Sequence, residues 1–295
     1  MSQPSEPLHG VRGLLLDLDG VIVLKGQAIP GAAEAVASLD RRGIPYRIVT
    51  NTSLMSRESL ARFGASIGID IPPERILSGL SISAAYTARH FPGRPLYVLA
   101  SDDARREFVG QRLLSDEEAG DPDASAAAVV VGDSPEVVNH PTLNRAFRLI
   151  RGGAQLVGMH KNQWWLTPDG PTIDSGAIVA GLEYSTGVRA TIVGKPSREF
   201  FATAAAEIQA ELGARDGGGG GGGRRVPRSA LAMVGDDILT DVFAAQRAGL
   251  RGVFVLTGKH DRADVEEAVR AKGRAKRRSP DLVAASLAEV VAALD

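Results

Sequence analysis

Two aspartates one residue apart, Asp17 and Asp19, stand directly after the apolar run Leu14-Leu15-Leu16 and before Gly20. Two more, Asp236 and Asp237, follow Leu231-Ala232-Met233-Val234-Gly235, and Asp241 lies a helical turn further on. Carboxylates brought together repel one another unless a cation and a basic side chain neutralise them. With Cys at 0 and five scattered His (His9, His90, His140, His160, His260), the donors on offer are oxygens, which favours a hard ion, Mg²⁺ by default, over zinc. Such an ion keeps positions open for water and for an oxyanion such as a substrate phosphate. Thr50 offers a hydroxyl, Asn51 a main-chain N–H and Lys195 an ammonium, groups suited to the equatorial oxygens of a transferring phosphoryl group. Asp17 and Asp19 then divide the labour. Asp17 attacks phosphorus to form an aspartyl-phosphate, and Asp19 protonates the leaving oxygen and later activates water.

The elements that must position these residues are legible as short apolar runs. Leu14–Leu16, Tyr46–Val49, Leu96–Leu99, Val129–Val131, Thr191–Val193, Leu231–Val234 and Val253–Leu256 are continuous rather than alternating, as in parallel strands covered on both faces. Between them, Gly31–Arg42, Ser56–Ile67 and Ser197–Leu212 space Ala, Val and Leu as helices do. The expected architecture is α/β, a Rossmann-like doubly wound parallel sheet whose chemistry collects at the carboxyl ends of its strands. Asp17, Thr50, Lys195 and Asp236 each follow such an end, and four ends are expected to converge. Taken singly, each motif also reads as a turn, a helix cap or a loop, and the ordered set carries the argument. Lys195 is not a Walker lysine, because Pro196 replaces the Ser or Thr and the glycine spacing before it is missing.

Composition narrows the class. The 34 Lys+Arg and 35 Asp+Glu leave a net charge of −1, so no global field draws the chain to nucleic acid or an anionic membrane. Hydrophobic residues at 44% and charged residues at 23% are ordinary for a globular enzyme, and the absence of Cys excludes a disulfide framework and fits a reducing cytoplasm. The polar opening MSQPSEP and the lack of a long apolar run predict neither a standard secretion signal nor a membrane span. The run Gly217–Gly223 predicts a flexible loop over 214–228, and Lys272, Arg274, Lys276, Arg277 and Arg278 read as a solvated basic face.

Asp17-Leu18-Asp19-Gly20-Val21, Thr50, Lys195 and Gly235-Asp236-Asp237 with Asp241 resemble the four motifs of the haloacid dehalogenase (HAD) superfamily of aspartate-nucleophile phosphohydrolases. Ile29-Pro30-Gly31-Ala32, Val193-Gly194-Lys195-Pro196-Ser197 and the long segment between the second and third motifs are similar to its class IIA branch, which carries an α/β C2 cap. Met159-His160-Lys161, Thr167-Pro168-Asp169-Gly170, Gly181-Leu182-Glu183-Tyr184 and Thr257-Gly258-Lys259 resemble the phospholysine phosphohistidine inorganic pyrophosphate phosphatase group within it. The resemblance implies Mg²⁺ held by the Asp17 carboxylate, the Asp19 carbonyl and Asp236, phosphate bound by Thr50 and Lys195, and Asp237 and Asp241 in support behind the metal. It also implies a core formed by 1–80 and 188–295, a C2 cap over 81–187, and a homodimer through the cap.

The cap residues His160, Lys161, Trp164 and Trp165 are the specificity candidates. His160 and Lys161 would meet a second phosphate or a carboxylate, and a Trp would stack on a ring; the plainer alternative packs both Trp in the cap and leaves Lys161 solvated. The expected function is Mg²⁺-dependent hydrolysis of a small phosphomonoester, phosphoramidate or pyrophosphate. Phosphoryl transfer to an acceptor other than water, as in a phosphotransferase or mutase, and a non-catalytic dimeric scaffold are the competing readings.

Overall fold

A computed structural model describes residues 8–216, 226–270 and 279–294 of the chain. In chain order its strands are β1 (Gly13–Leu16), β2 (Val23–Leu24), β3 (Gln27–Ala28), β4 (Tyr46–Thr50), β5 (Ile76–Ser78), β6 (Leu96–Leu99) and β7 (Ala128–Val131). There follow β8 (Gln155–Gly158), β9 (Trp164–Thr167), β10 (Gly170–Ile173), β11 (Thr191–Ile192), β12 (Leu231–Gly235), β13 (Arg251–Val255) and β14 (Leu282–Ala284). Two compact units result. One comprises Met1–Thr50, Gly64–Ile76 and Pro196–Asp295, the other Asn51–Phe63 and Leu77–Lys195.

The first unit is built on a six-stranded sheet in the order β14-β13-β12-β1-β4-β5. Its central pairs are parallel and in tight register, with Leu16 beside both Val234 and Ile48, and Val234 beside Val253. Every residue of β1 and β12 is buried, as continuous apolar runs require in a sheet covered on both faces. The helix Arg198–Asp216 supplies part of that cover, turning Phe200, Phe201, Ala204, Ala205, Ile208 and Leu212 inward at helical spacing and packing on β1 and β4. From β1 the chain builds outward through β4 and β5 on one side, and through β12, β13 and β14 on the other. Strand order therefore reverses between β1 and β12, the place where open α/β sheets bind ligands. A small hairpin, β2 with β3, follows Asp19 and turns through Lys25 and Gly26 at φ +51° and +77°.

The second unit has its own parallel sheet, β11-β8-β7-β6, and the antiparallel pair β9–β10. Its apolar core joins Tyr97, Leu99, Val129, Val131, Leu156 and Leu182. Here the structure corrects the sequence reading. The strand ahead of Lys195 pairs with β8, Thr191 beside Val157 and Ile192 beside Gly158, so it edges the second sheet rather than joining β1, β4 and β12. The sequence hid this because β8 presents only Leu156-Val157 between Gln155 and Gly158, too short an apolar run to read as a partner strand. The second unit accordingly extends beyond 81–187, taking in 51–63, 77–80 and 188–195.

The expected loop 214–228 is also shorter than read. Residues 214–216 complete the helix Arg198–Asp216, where Arg215 pairs with Glu211 one turn back at 2.7 Å, and Val226 is already buried ahead of β12. The glycine run 217–223 and the basic stretch 272–278 lie outside the described residues. Among the described residues no helix is long and apolar enough to cross a membrane.

Because β1 leads directly into Asp17 and is buried along its whole length, Leu15→Ala should cost about 3 kcal/mol, read as a lower urea midpoint with an unchanged slope.

Candidate active site

The register of the first sheet sets the site. Asp17 is the residue after β1, Thr50 ends β4, and Asp236 follows β12, so the three stand at the carboxyl ends of adjacent strands. The Asp17 N–H donates to the Val234 carbonyl at 2.9 Å, carrying the β1–β12 ladder one residue past the strand. Asp17 and Thr50 are buried, whereas Asp19 is exposed and forms an isolated bridge with Val23 at the foot of the hairpin. One carboxylate is thus enclosed and the other exposed.

Carboxylate oxygens of Asp17, Asp236 and Asp241 lie within 4.8 Å of one another. At an effective dielectric of about 20, each such pair repels by about 3 kcal/mol when both members are ionised. Burial, and after it the charge of Asp241, pushes the Asp236 carboxyl up to about 6 despite a hydrogen bond from the Lys259 N–H. Asp237 behaves oppositely. Burial would raise it, but the Lys259 ammonium, 2.6 Å from its Oδ2, and the Thr240 N–H on its Oδ1 hold it at about 2. The supporting role expected for Asp237 and Asp241 together therefore divides: Asp241 shares the cluster with Asp17 and Asp236, while Asp237 turns to Lys259 and caps the π-helical turn Ile238–Val242. The Asp237 N–H still donates to Asp241 Oδ2 at 3.2 Å, tying the two together.

Lys195 lies buried in the second unit, held by Asn51. Asn51 Oδ1 accepts the Lys195 N–H at 2.8 Å and Asn51 Nδ2 donates to the Lys195 carbonyl at 3.0 Å, so one side-chain amide matches both main-chain groups of one residue. Gly194 makes that approach possible: a Cβ there would fall 2.3 Å from the Met159 carbonyl and 2.8 Å from Asn51 Oδ1. Sequence reasoning gave Asn51 only a main-chain N–H; the structure adds a side chain that seats Lys195. The signal available was its position directly after Thr50.

The cap candidates fare differently. His160 is 2% exposed, enclosed with Ser53, Asp133, Asp174 and Ser175 instead of standing on an open surface. Its Nε2 lies 3.4 Å from Ser53 Oγ and 3.6 Å from Asp174 Oδ1, and Ser175 Oγ lies 3.2 Å from its Nδ1. Ser53 Oγ in turn accepts the Asp133 N–H at 2.7 Å, so His160 knits the segment after Thr50 to the ends of β7 and β8. Lys161 is exposed and ion-paired to Glu183, whose carboxyl that bond and the Ala190 N–H hold low. Trp164 and Trp165 sit half-buried on β9 opposite Ile173 and Thr172, and the unit's core cluster does not include them. Lys259 went unassigned, although Thr257-Gly258-Lys259 follows β13 as the other motifs follow their strands.

Residues 14–112 match the haloacid dehalogenase-like hydrolase family, and residues 192–290 a HAD-hydrolase-like family. Haloacid dehalogenase-like hydrolase domain-containing protein 2 of Bos taurus is 34% identical over 259 residues, covering 88% of this chain and 89% of that protein. The chain belongs to the haloacid dehalogenase-like hydrolase family. Human phospholysine phosphohistidine inorganic pyrophosphate phosphatase, another relative, is 32% identical over 263 residues, 87% of each chain. Among solved structures, the 4-nitrophenylphosphatase of Thermotoga maritima matches with a TM-score of 0.80 at 26% identity, covering 98% of this chain and 99% of that one. The first match spans Asp17 to Thr50, and the second spans Lys195 to Asp241.

Burial, with Lys195 nearby, lowers His160 from 6.5 to about 4 against the opposing pull of Asp133. The folded protein therefore keeps the ring neutral at pH values where the unfolded chain protonates it, and the unfolded state binds the extra proton. Stability should fall by up to about 3 kcal/mol as pH drops from 6.5 toward 4. His160→Gln should flatten that part of the profile, measured by urea unfolding across the range.

Proposed function

We propose that this chain is a Mg²⁺-dependent phosphohydrolase that works through an aspartyl-phosphate on Asp17 and acts on a small phosphorylated compound. The observation that carries the reading is the buried grouping of Asp17, Asp236 and Asp241 at the point of strand-order reversal, with Asp19 exposed two residues from Asp17. The likeness to nitrophenylphosphatases and to a phospholysine, phosphohistidine and pyrophosphate phosphatase supports it.

Three buried carboxylates converging within 4.8 Å suit a hard divalent ion, and their mutual repulsion favours one. Asp17, Asp236 and Asp241, with the Asp19 carbonyl, are the groups that would hold it; when bound, Mg²⁺ supplies charge neutralisation and Lewis acidity toward phosphate. An Asp17 carboxylate oxygen attacks phosphorus, and the bond from phosphorus to the leaving oxygen breaks as Asp19 delivers a proton to that oxygen. Asp19, now ionised, takes a proton from a water that attacks phosphorus; the bond to Asp17 breaks, and phosphate leaves with the carboxylate restored. Thr50, the Asn51 N–H and Lys195 serve the phosphoryl oxygens, where charge accumulates. Asn51 keeps Lys195 in register for that task.

The second unit takes the part of the C2 cap and selects the substrate, working as a homodimer through that unit, in the cytoplasm. Trp164 and Trp165, half-buried on β9, are its candidates for stacking on a ring-bearing compound.

Phosphate release should be measured over pyrophosphate, phosphohistidine, phospholysine, nitrophenyl phosphate, phosphoglycolate and pyridoxal phosphate. Release should require Mg²⁺, stop with EDTA, and fall about a thousandfold or more in Asp17→Asn with folding intact. Release that persists in EDTA or in Asp17→Asn would refute the mechanism.

A further inference from the structure

The loop Thr257-Gly258-Lys259 follows β13 and wraps Asp236. Thr257 Oγ1 donates to the Gly20 carbonyl at 2.5 Å, and the Lys259 N–H donates to Asp236 Oδ2 at 2.8 Å. A Cβ at Gly258 would fall 1.9 Å from that oxygen, and one at Gly20, whose φ is +77°, would fall 2.2 Å from it. Asp236 is thus clasped between two segments that admit only glycine at the points of contact. The Lys259 ammonium continues to Asp237 Oδ2 at 2.6 Å, while Asp237 Oδ1 accepts the Leu239 and Thr240 N–H groups at 2.9 Å each. Both oxygens of Asp237 are engaged by protein donors. The carboxylates that converge are Asp17, Asp236 and Asp241.

We propose that Lys259 is a positioning residue that sorts these aspartates: its main chain fixes Asp236, and its ammonium keeps Asp237 away from the cation, leaving Asp17, Asp236 and Asp241 to hold it. This rests on the Mg²⁺ reading above. Lys259 also subtracts one negative charge from the cluster. Without it, Asp237 stands uncompensated among like charges, the metal-free protein bears the repulsion, and Mg²⁺ relieves it. An ion pair that merely braces the fold would stabilise the protein equally with and without the metal.

Thermal unfolding of the full chain, in EDTA and in saturating Mg²⁺, separates the two. Lys259→Met should lower Tm in EDTA by about 3–6 °C. Mg²⁺ should recover at least about half of that deficit, and adding Asp237→Asn to Lys259→Met should recover it in EDTA alone. Equal loss in both media, with no recovery from Asp237→Asn, overturns the role of Lys259. Asp236→Asn is the control for the metal. If the unsubstituted protein gains no stability from Mg²⁺, the Mg²⁺ reading falls and this proposal with it. If it gains stability that Asp236→Asn abolishes, and Lys259→Met gains no more than the unsubstituted protein, the Lys259 proposal alone is refuted.

Discussion

Repulsion among Asp17, Asp236 and Asp241 is the constraint on which the rest of the molecule turns. Three buried carboxylates within 4.8 Å of one another oppose folding, and no local preference of the chain would assemble them. The parallel sheet imposes the arrangement. Leu16 is locked between Ile48 and Val234, so the residues that follow β1 and β12 cannot drift apart without breaking a ladder buried on both faces. The core around β1 and β12 thus supplies the stability that the acidic cluster consumes, and a divalent cation is the natural means of lowering that cost.

The neighbouring groups each lessen or direct this charge. Lys259 takes Asp237 out of the contest, the π-helical turn after Asp237 brings Asp241 back toward Gly235, and the exposed Asp19 stays outside the cluster. In the second unit the same economy applies to Lys195. It is buried, and its main chain is seated by Asn51, whose side-chain amide donates and accepts in a single plane. His160 serves the same segment from the other side through Ser53, and its neutrality keeps a second positive charge away from the lysine.

Much of this was legible in the sequence. The seven apolar runs each overlap a strand, and the motif aspartates fall at strand ends because a tight turn after a buried strand favours Asp and Gly. Strands without a run of their own were not legible: β8 shows two apolar residues and β14 three, and β5 lies before a helix with which it merges in pattern. Missing β8 misassigned the strand before Lys195. The side-chain relations Asn51 with Lys195, and Lys259 with Asp237, join positions far apart in the chain, and no local spacing encodes them. His160 read as a specificity residue because a histidine's type says nothing about which way it faces; only the packing against Ser53, Asp174 and Ser175 settles that.

The central claim is that the fixed, enclosed carboxylate of Asp17 carries the phosphoryl group. Rapid acid quench during turnover of nitrophenyl phosphate, followed by peptide mass mapping, tests it most directly. The account predicts a transiently phosphorylated peptide with the modification on Asp17. Steady phosphate release with no phosphorylated peptide, or a phosphoryl group found on another residue, would contradict it.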